Sequence, residues 1–180
     1  MKILVTCHRR ENWGIGLTSL ALALIAIARR GDARIDVVLH PNPKVARAMF
    51  ALLSGEPWIR LVAPLGHGAM IEAMLDADLI LSDSGGVQEE APALGVPLLV
   101  LRDSTERPEC IASGNAVLVG TDTARVTEAV TGLIDRPEAL AAMAVPRFPF
   151  GDGRAAPRIA ALALAWLDSR RAENRGAVSG

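Results

Sequence analysis

Short apolar segments alternate with longer segments of helical periodicity along almost the whole chain. Segments of three to six β-branched or aliphatic residues predict buried strands, and longer segments with apolar positions three or four apart predict helices. The predicted strands are Lys2–Thr6, Asp36–Leu39, Ile59–Val62, Leu79–Ser82, Pro97–Leu101 and Ala116–Val119. The predicted helices are Leu17–Arg30, Lys44–Leu53, His67–Ala77, Val87–Leu94, Thr123–Leu133, Pro137–Met143 and a long amphipathic helix, Ala155–Arg171.

This alternation is typical of right-handed βαβ units, which build a parallel sheet with helices on both faces. The fold class predicted is therefore α/β and Rossmann-like. We expect one domain over residues 1–171 and a flexible tail over residues 172–180. In such sheets ligands bind beyond the carboxyl ends of the strands, so the loops after the strands are where the chemistry is expected.

Composition excludes several classes of protein. Hydrophobic residues make up 51% of the 180 residues and the formal net charge is -1, which argues against both global disorder and an electrostatic nucleic-acid binder. The longest apolar stretch, Leu17–Ala28, is too short to span a bilayer, so no membrane partner is expected. Cys7 and Cys110 have no metal-ligand spacing and suit a reducing compartment, so we expect a cytoplasmic protein without a metal.

The segment after the fourth predicted strand carries the strongest local signal. Ser84, Gly85 and Gly86 form a turn before a helix, where free N–H groups and the helix dipole favour a phosphate. Glu90 lies one turn further and is placed to accept hydrogen bonds from the vicinal hydroxyls of a ribose. Spacing alone leaves a second interpretation open, in which Ser84 only caps the helix and the glycines only make a tight turn.

Three further loops carry polar side chains after strands. His8 and Arg9 follow the first strand, His40 follows the second, and Arg107 belongs to a charged loop, Arg102–Glu109, after the fifth. Guanidinium groups suit a diphosphate. Taken alone, however, the two charged loops are more typical of ion-paired surface loops, and His40 is more typical of a simple turn residue. Because all four loops project from one edge, a nucleoside diphosphate accounts for them together. Dinucleotide-binding and P-loop fingerprints are absent from the sequence, and no cofactor is indicated.

These motifs together resemble the non-hydrolysing UDP-N-acetylglucosamine 2-epimerase family. The resemblance rests on Ser82-Asp-Ser-Gly-Gly-Val-Gln-Glu-Glu-Ala-Pro92, on Leu101-Arg-Asp-Ser-Thr-Glu-Arg-Pro-Glu109 and on Thr6-Cys-His-Arg-Arg-Glu-Asn12. It implies one half of a glycosyltransferase-B-type fold, namely the C-terminal, UDP-binding domain without the N-terminal domain. It also implies that UDP contacts Ser84, Gly85, Gly86 and Glu90, and that Arg107 and the catalytic His8 lie near the diphosphate.

The same resemblance implies an activating second UDP-N-acetylglucosamine near Arg9 and His40, and an acid/base pair on the missing domain. The chain alone is therefore expected to bind UDP and to have little or no activity. Met70 replaces an aromatic residue that family members often place near uracil. Four alternatives stay open: one chain of a split enzyme with a separate N-terminal chain, a non-catalytic nucleotide-binding module, a decayed gene fragment that still folds, and half of a related glycosyltransferase. A homodimer is also open.

Overall fold

Six parallel strands form one sheet in the order β3-β2-β1-β4-β5-β6. The computed structural model describes residues 1–177. Its strands are β1 (Lys2–Thr6), β2 (Arg34–Val38), β3 (Ile59–Val62), β4 (Leu79–Ser82), β5 (Leu98–Val100) and β6 (Ala116–Leu118). Its helices are α1 (Ile15–Ala28), α2 (Pro43–Leu53), α3 (His67–Leu75), α4 (Gly85–Leu94), α5 (Pro108–Ala112), α6 (Thr123–Ile134), α7 (Pro137–Met143) and α8 (Ala155–Ala177).

The strand order confirms the predicted Rossmann-like α/β fold. The chain winds outward from β1 through β2 to β3, returns to the centre at β4, and then winds outward in the other direction. The winding direction therefore reverses between β1 and β4, which is the place where such sheets bind ligands. The register pairs Thr6 with Ser82, so the loops that follow β1 and β4 leave the sheet side by side.

Alternate residues of each central strand enter two different hydrophobic cores. In β1, Ile3 and Val5 pack with α1, α2 and α6, whereas Leu4 packs on the other face with α3, α4 and α5. All three side chains are at most 2% exposed. Burying an aliphatic side chain of this size stabilises a fold by about 1.5–3 kcal/mol, so a strand that is apolar on both sides is held firmly at the centre of the sheet.

Local signals in the sequence set several helix ends. The Asn42 side chain accepts the Lys44 N–H at 3.0 Å at the start of α2, with Pro43 in the first turn. Asp122 caps α6 by accepting the Arg125 N–H at 3.0 Å. Gly95 ends α4 in the left-handed conformation, with φ 69°, that favours glycine.

The structure corrects the predicted bounds at two functional places. Helix α4 begins at Gly85 rather than near Val87, so both glycines belong to its first turn. A short helix over Pro108–Ala112, which apolar periodicity did not predict, follows the Arg107 loop. The other strands and the helices before α8 agree with the predictions to within two residues at either end.

The chain divides into two compact units, Met1–Pro149 and a second unit that begins at Phe150, within the range predicted as one domain. The second unit contains α8, which continues six residues beyond Arg171, where the sequence predicted its end. The last residues of the predicted tail, 178–180, lie outside the described residues. Residues 159–167 are all apolar and all exposed, with Leu162 at 72%, so α8 lacks the one-sided stripe that the prediction assumed.

Candidate functional site: a helix N-terminus at the carboxyl edge of the sheet

A buried carboxylate holds together the loops that follow β1 and β4. Asp83 is 0% exposed and accepts the backbone N–H of His8 at 2.8 and 3.0 Å and that of Arg9 at 2.9 Å. The Asn12 amide donates to it at 2.8 Å. A carboxylate that accepts this many hydrogen bonds is an anchor for the loop, so we assign Asp83 a structural role.

The thiol of Cys7 also donates to Asp83, with 3.3 Å between Sγ and the carboxylate oxygen. Burial, reinforced by the charge of Asp83, raises the pKa of Cys7 far above its ordinary value. Cys110, on the other face of the sheet, has its pKa raised by burial to about 11. Both cysteines are therefore protonated, inert core residues at neutral pH.

The first turn of α4 leaves its N–H groups open to a ligand. Ser84 occupies the capping position, but its hydroxyl makes no capping hydrogen bond. A Cβ placed on Gly85 would meet nothing within 4 Å, and one on Gly86 would meet only the Ser84 hydroxyl at 3.8 Å. Neither glycine has a positive φ. The fold itself therefore does not require glycine at these positions, and the empty space in front of the helix suits an anion that approaches the backbone closely.

Glu90 lies on the same helix, one turn after the glycines. It is partly buried, with a side chain 33% exposed, and its Oε1 lies 2.9 Å from Nε2 of His67. His67 is the first residue of α3, so this contact joins the N-terminal turn of one helix to the middle of the next. The carboxylate is consequently held in place before any ligand arrives.

Arg107 reaches α4 from the loop after β5. Its guanidinium donates to Glu89, and both side chains are partly exposed. The hydroxyl of Thr105 accepts the Arg107 backbone N–H at 3.0 Å and donates to the buried amide oxygen of Gln88. The charged loop Arg102–Glu109 is thus held against α4 by two neighbouring contacts, which place Arg107 beside the same helix as Ser84 and Glu90.

Part of this loop has the ion-paired structure that charge content alone suggested. The guanidinium of Arg102 donates two hydrogen bonds of 2.9 Å each to Glu106. These bonds lower the pKa of Glu106 to about 2, so it remains ionised throughout the neutral range. Glu106 is therefore a structural partner of Arg102 rather than a group that transfers protons near neutrality.

His8 and His40 lie together at the ends of β1 and β2. Their ring centroids are 5.2 Å apart, and the ring of Trp13 lies 5.9 Å from that of His40. Burial, together with nearby His40, lowers the pKa of His8, and Asp83 only partly opposes this. His40 Nδ1 accepts the Asn42 N–H at 2.8 Å, so His40 also has the turn-forming role that the sequence left open.

Two cavities open at this edge. One, of about 320 Å³, is lined by His8, His40, Leu65 and Met70 among others. The other, of about 680 Å³, is lined by Arg9, Arg102 and residues of the loop after β6. His40 and Arg9, which the resemblance assigned to one second-ligand site, therefore line different cavities. Met70, expected near uracil, shares the first cavity with His8.

The structure thus places all the predicted site residues at one edge of the sheet, and α4 connects most of them. Sequence reasoning missed His67, and it noted Gln88, Asn12 and Thr105 only as members of motifs. Their contacts are with residues distant along the chain, which no local pattern reveals. Among the described residues, no cluster of three or more His, Cys, Asp or Glu could hold a metal ion. Within residues 1–177, every helix is too short or too polar to cross a bilayer.

An α/β domain with an open helix N-terminus and a carboxylate one turn away has the arrangement that is typical of nucleotide-binding domains. The sequence model of the UDP-N-acetylglucosamine 2-epimerase family matches residues 1–164, so the chain belongs to this family. The UDP-N-acetylglucosamine 2-epimerase of Neisseria meningitidis is 44% identical over 154 residues, which are 85% of this chain and 41% of the relative.

Solved structures extend the likeness. A crystal structure of UDP-GlcNAc 2-epimerase from N. meningitidis bound to UDP-GlcNAc is 41% identical with a TM-score of 0.86, covering 91% of this chain and 44% of that one. The S. aureus MnaA–UDP structure is 35% identical with a TM-score of 0.86, covering 93% and 46%. The chain thus spans less than half the length of these relatives, as expected for one half of a two-domain, glycosyltransferase-B-type protein.

Proposed function

We propose that this chain supplies the UDP-binding half of a UDP-N-acetylglucosamine 2-epimerase. The observation that carries the proposal is the first turn of α4, where the Ser84 hydroxyl makes no capping hydrogen bond and Gly85 and Gly86 face open space. Glu90 follows one turn later. The free N–H groups and the helix dipole suit the diphosphate, and the carboxylate suits the ribose hydroxyls. Related proteins in complex with UDP-GlcNAc and with UDP support this choice of ligand.

The epimerase reaction requires loss of the C2 proton of the sugar and cleavage of its C1–O bond. UDP leaves, a 2-acetamidoglucal remains, and UDP adds back after the proton is returned to the opposite face. Charge accumulates on the departing diphosphate, so donors fixed around it lower the barrier. In this chain those donors are Arg107, His8 and the N–H groups of α4. His8 is the catalytic residue that we assign to this half, as a donor to the diphosphate.

The proton transfers at C2 need groups that the family resemblance assigns to the other domain. In this chain Asp83 and Glu106, two carboxylates near the site, are already engaged in structural hydrogen bonds. We therefore expect the chain alone to bind UDP through one wall of a cleft and to turn over little or no substrate. Holding a substrate from one side only costs several orders of magnitude in rate.

A separate chain that carries the other wall is the second candidate arrangement. The specific observation that favours it is the exposed apolar stretch at residues 159–167, because an apolar helix surface of this length is ordinarily covered. A homodimer is the competing way to cover it. Mass measurement of the purified chain distinguishes a monomer from a dimer, and mixing with an N-terminal epimerase domain tests whether activity appears.

Arg9 and His40 remain our candidates for contact with a second, activating UDP-N-acetylglucosamine. Because they line different cavities, each is tested separately. If binding of the activator requires only one of the two residues, only substitution of that residue will remove activation in the completed enzyme. Two buried cysteines without a disulfide also agree with a reducing compartment such as the cytoplasm as the place of action.

Calorimetric titration with UDP and UDP-N-acetylglucosamine tests the main proposal. The Arg107→Ala variant is expected to lose most of the affinity for both ligands, whereas Arg47→Ala, which removes an exposed guanidinium from α2, is expected to bind as the wild type does. An epimerisation assay is run on the same samples. Absence of binding at millimolar UDP, or turnover at an ordinary enzyme rate by the chain alone, would contradict the proposal.

A further inference from the structure

His67 stands at the start of α3 with a glycine on either side. A Cβ placed on Gly66 or on Gly68 would meet nothing within 4 Å, and the His67 side chain is 78% exposed. The imidazole is therefore not confined by packing. What locates it is the contact of Nε2 with Oε1 of Glu90, at 2.9 Å.

The direction of this hydrogen bond follows from the chemistry of the two groups. An ionised carboxylate only accepts, so His67 donates through Nε2–H. One lone pair of Oε1 is then occupied, while the second lone pair and both lone pairs of Oε2 remain. A carboxylate held in this way still accepts one hydrogen bond at each oxygen, which is what two vicinal hydroxyl groups offer.

We propose that His67 is a positioning residue that makes the site selective for ribonucleotides over 2′-deoxyribonucleotides. The inference rests on the proposed function, because it requires Glu90 to face the ribose. A glutamate side chain has three rotatable bonds, and fixing it for two simultaneous hydrogen bonds costs conformational entropy. The hydrogen bond from His67 fixes Glu90 before binding, so the cost is met during folding.

The proposal makes a prediction about two ligands rather than one. UDP uses both oxygens of Glu90 and benefits fully from its fixed orientation, whereas 2′-deoxy-UDP uses only one. We expect His67→Ala to lower the affinity for UDP about five- to tenfold, which is the effect of one modest hydrogen bond. The affinity for 2′-deoxy-UDP should fall less than about twofold. The preference for UDP therefore falls by roughly the same factor. If His67 had a purely structural role, the substitution would lower the affinities for both ligands equally.

The experiment titrates UDP and 2′-deoxy-UDP into the wild-type chain, His67→Ala and four further variants. His67→Gln, whose amide N–H can donate in place of the imidazole, is expected to retain most of the preference. Glu90→Gln is expected to lose it, and adding His67→Ala to Glu90→Gln is expected to cause no further change. Glu72→Ala, which removes an exposed side chain from α3, the helix of His67, serves as the matched control and should leave both affinities unchanged.

The outcomes separate this inference from the proposed function. If the wild type binds no UDP, the proposed function fails and the inference falls with it. If UDP binds and Glu90→Gln loses the preference but His67→Ala keeps it, the proposed function stands and His67 is not the positioning residue. Equal weakening of both ligands by His67→Ala would likewise overturn the inference, since it would indicate a structural effect.

Discussion

The carboxylate of Asp83 accepts the backbone N–H of His8 at 2.8 and 3.0 Å, across 75 positions of sequence. This contact sets the place of His8 relative to Ser84, because Asp83 is the residue directly before Ser84. The loops after β1 and β4 therefore form one rigid unit at the point where the winding of the sheet reverses. We therefore expect a ligand bound at the N-terminus of α4 to reach His8 without a prior loop movement.

The first prediction follows from this contact. An Asp83→Asn substitution removes the charge and turns an amide N–H toward the donors of His8, Arg9 and Asn12. We expect the free energy of unfolding to fall by about 2–3 kcal/mol, the cost of leaving buried donors unsatisfied. Urea denaturation measures this loss. UDP affinity should fall as well, because His8 is no longer held in place.

The matched control for this substitution is Asp103→Asn. The Asp103 side chain is 92% exposed and lies 3.7 Å from Arg125. Its replacement should change the free energy of unfolding by less than about 0.5 kcal/mol. Equal effects of the two substitutions would show that Asp83 is not an anchor.

The second prediction concerns the dependence of stability on pH. Burial lowers the pKa of His8 below its ordinary value of 6.5, so the folded state favours the neutral imidazole. The unfolded chain takes up a proton at the ordinary pKa, and it therefore binds more protons than the folded state below that pH. The contribution of His8 to stability is present above pH 6.5 and is lost as the pH falls through the folded pKa. Urea denaturation from about pH 7.5 to pH 5 should show a smaller loss of stability in His8→Gln than in the wild type.

The third prediction is that UDP binding takes up protons in the same pH range. A diphosphate near His8 favours the charged imidazole and so raises its pKa from the lowered value. Calorimetry at about pH 6 in two buffers of different ionisation enthalpy measures the protons exchanged. The His8→Gln variant should take up fewer protons when UDP binds. Uptake that is unchanged in this variant would place the diphosphate away from His8.

The fourth prediction concerns Arg107, which donates to Glu89 in the structure. Replacing Glu89 with Gln removes a competing acceptor and a negative charge near the expected diphosphate. We expect UDP to bind about two- to fivefold more tightly, and less so in high salt, because the pair is partly exposed and screened. Glu128→Gln on α6 is the control for the change in net charge. A loss of affinity in Glu89→Gln would mean that Glu89 orients Arg107 productively.

The features that depend on a local sequence pattern could be predicted from the sequence alone. The continuous apolar segments of β1 and β4 predicted the central strands, and parallel pairing then placed the loops after them at one edge. The Ser84-Gly85-Gly86 turn was recognisable as a place where backbone N–H groups are free. These features follow from residues that are neighbours in sequence, which is the range over which periodicity and capping signals operate.

The features that remained hidden depend on contacts between distant residues. Nothing in the sequence around Asp83 reveals that its carboxylate accepts N–H groups from the loop after β1. His67 is a lone histidine beside two glycines, and only the packing of α3 beside α4 brings it to Glu90. For α8 the apolar content was visible, but its even distribution around the helix was interpreted as a stripe.

The last prediction separates folding from binding at a single position. Gly86 lies in the first turn of α4 with a negative φ and with space for a Cβ, so alanine fits the fold. Gly86→Ala should therefore leave the free energy of unfolding unchanged or raise it by up to about 1 kcal/mol, as alanine does in a helix.

The new methyl group would occupy the space through which a phosphate reaches the N–H groups, so UDP affinity should fall about tenfold or more. Gly132→Ala in α6, where a Cβ would meet only the flexible end of Arg136 at 3.2 Å, is the matched control and should bind UDP normally. Normal binding by Gly86→Ala would mean that the phosphates lie elsewhere along the edge of the sheet.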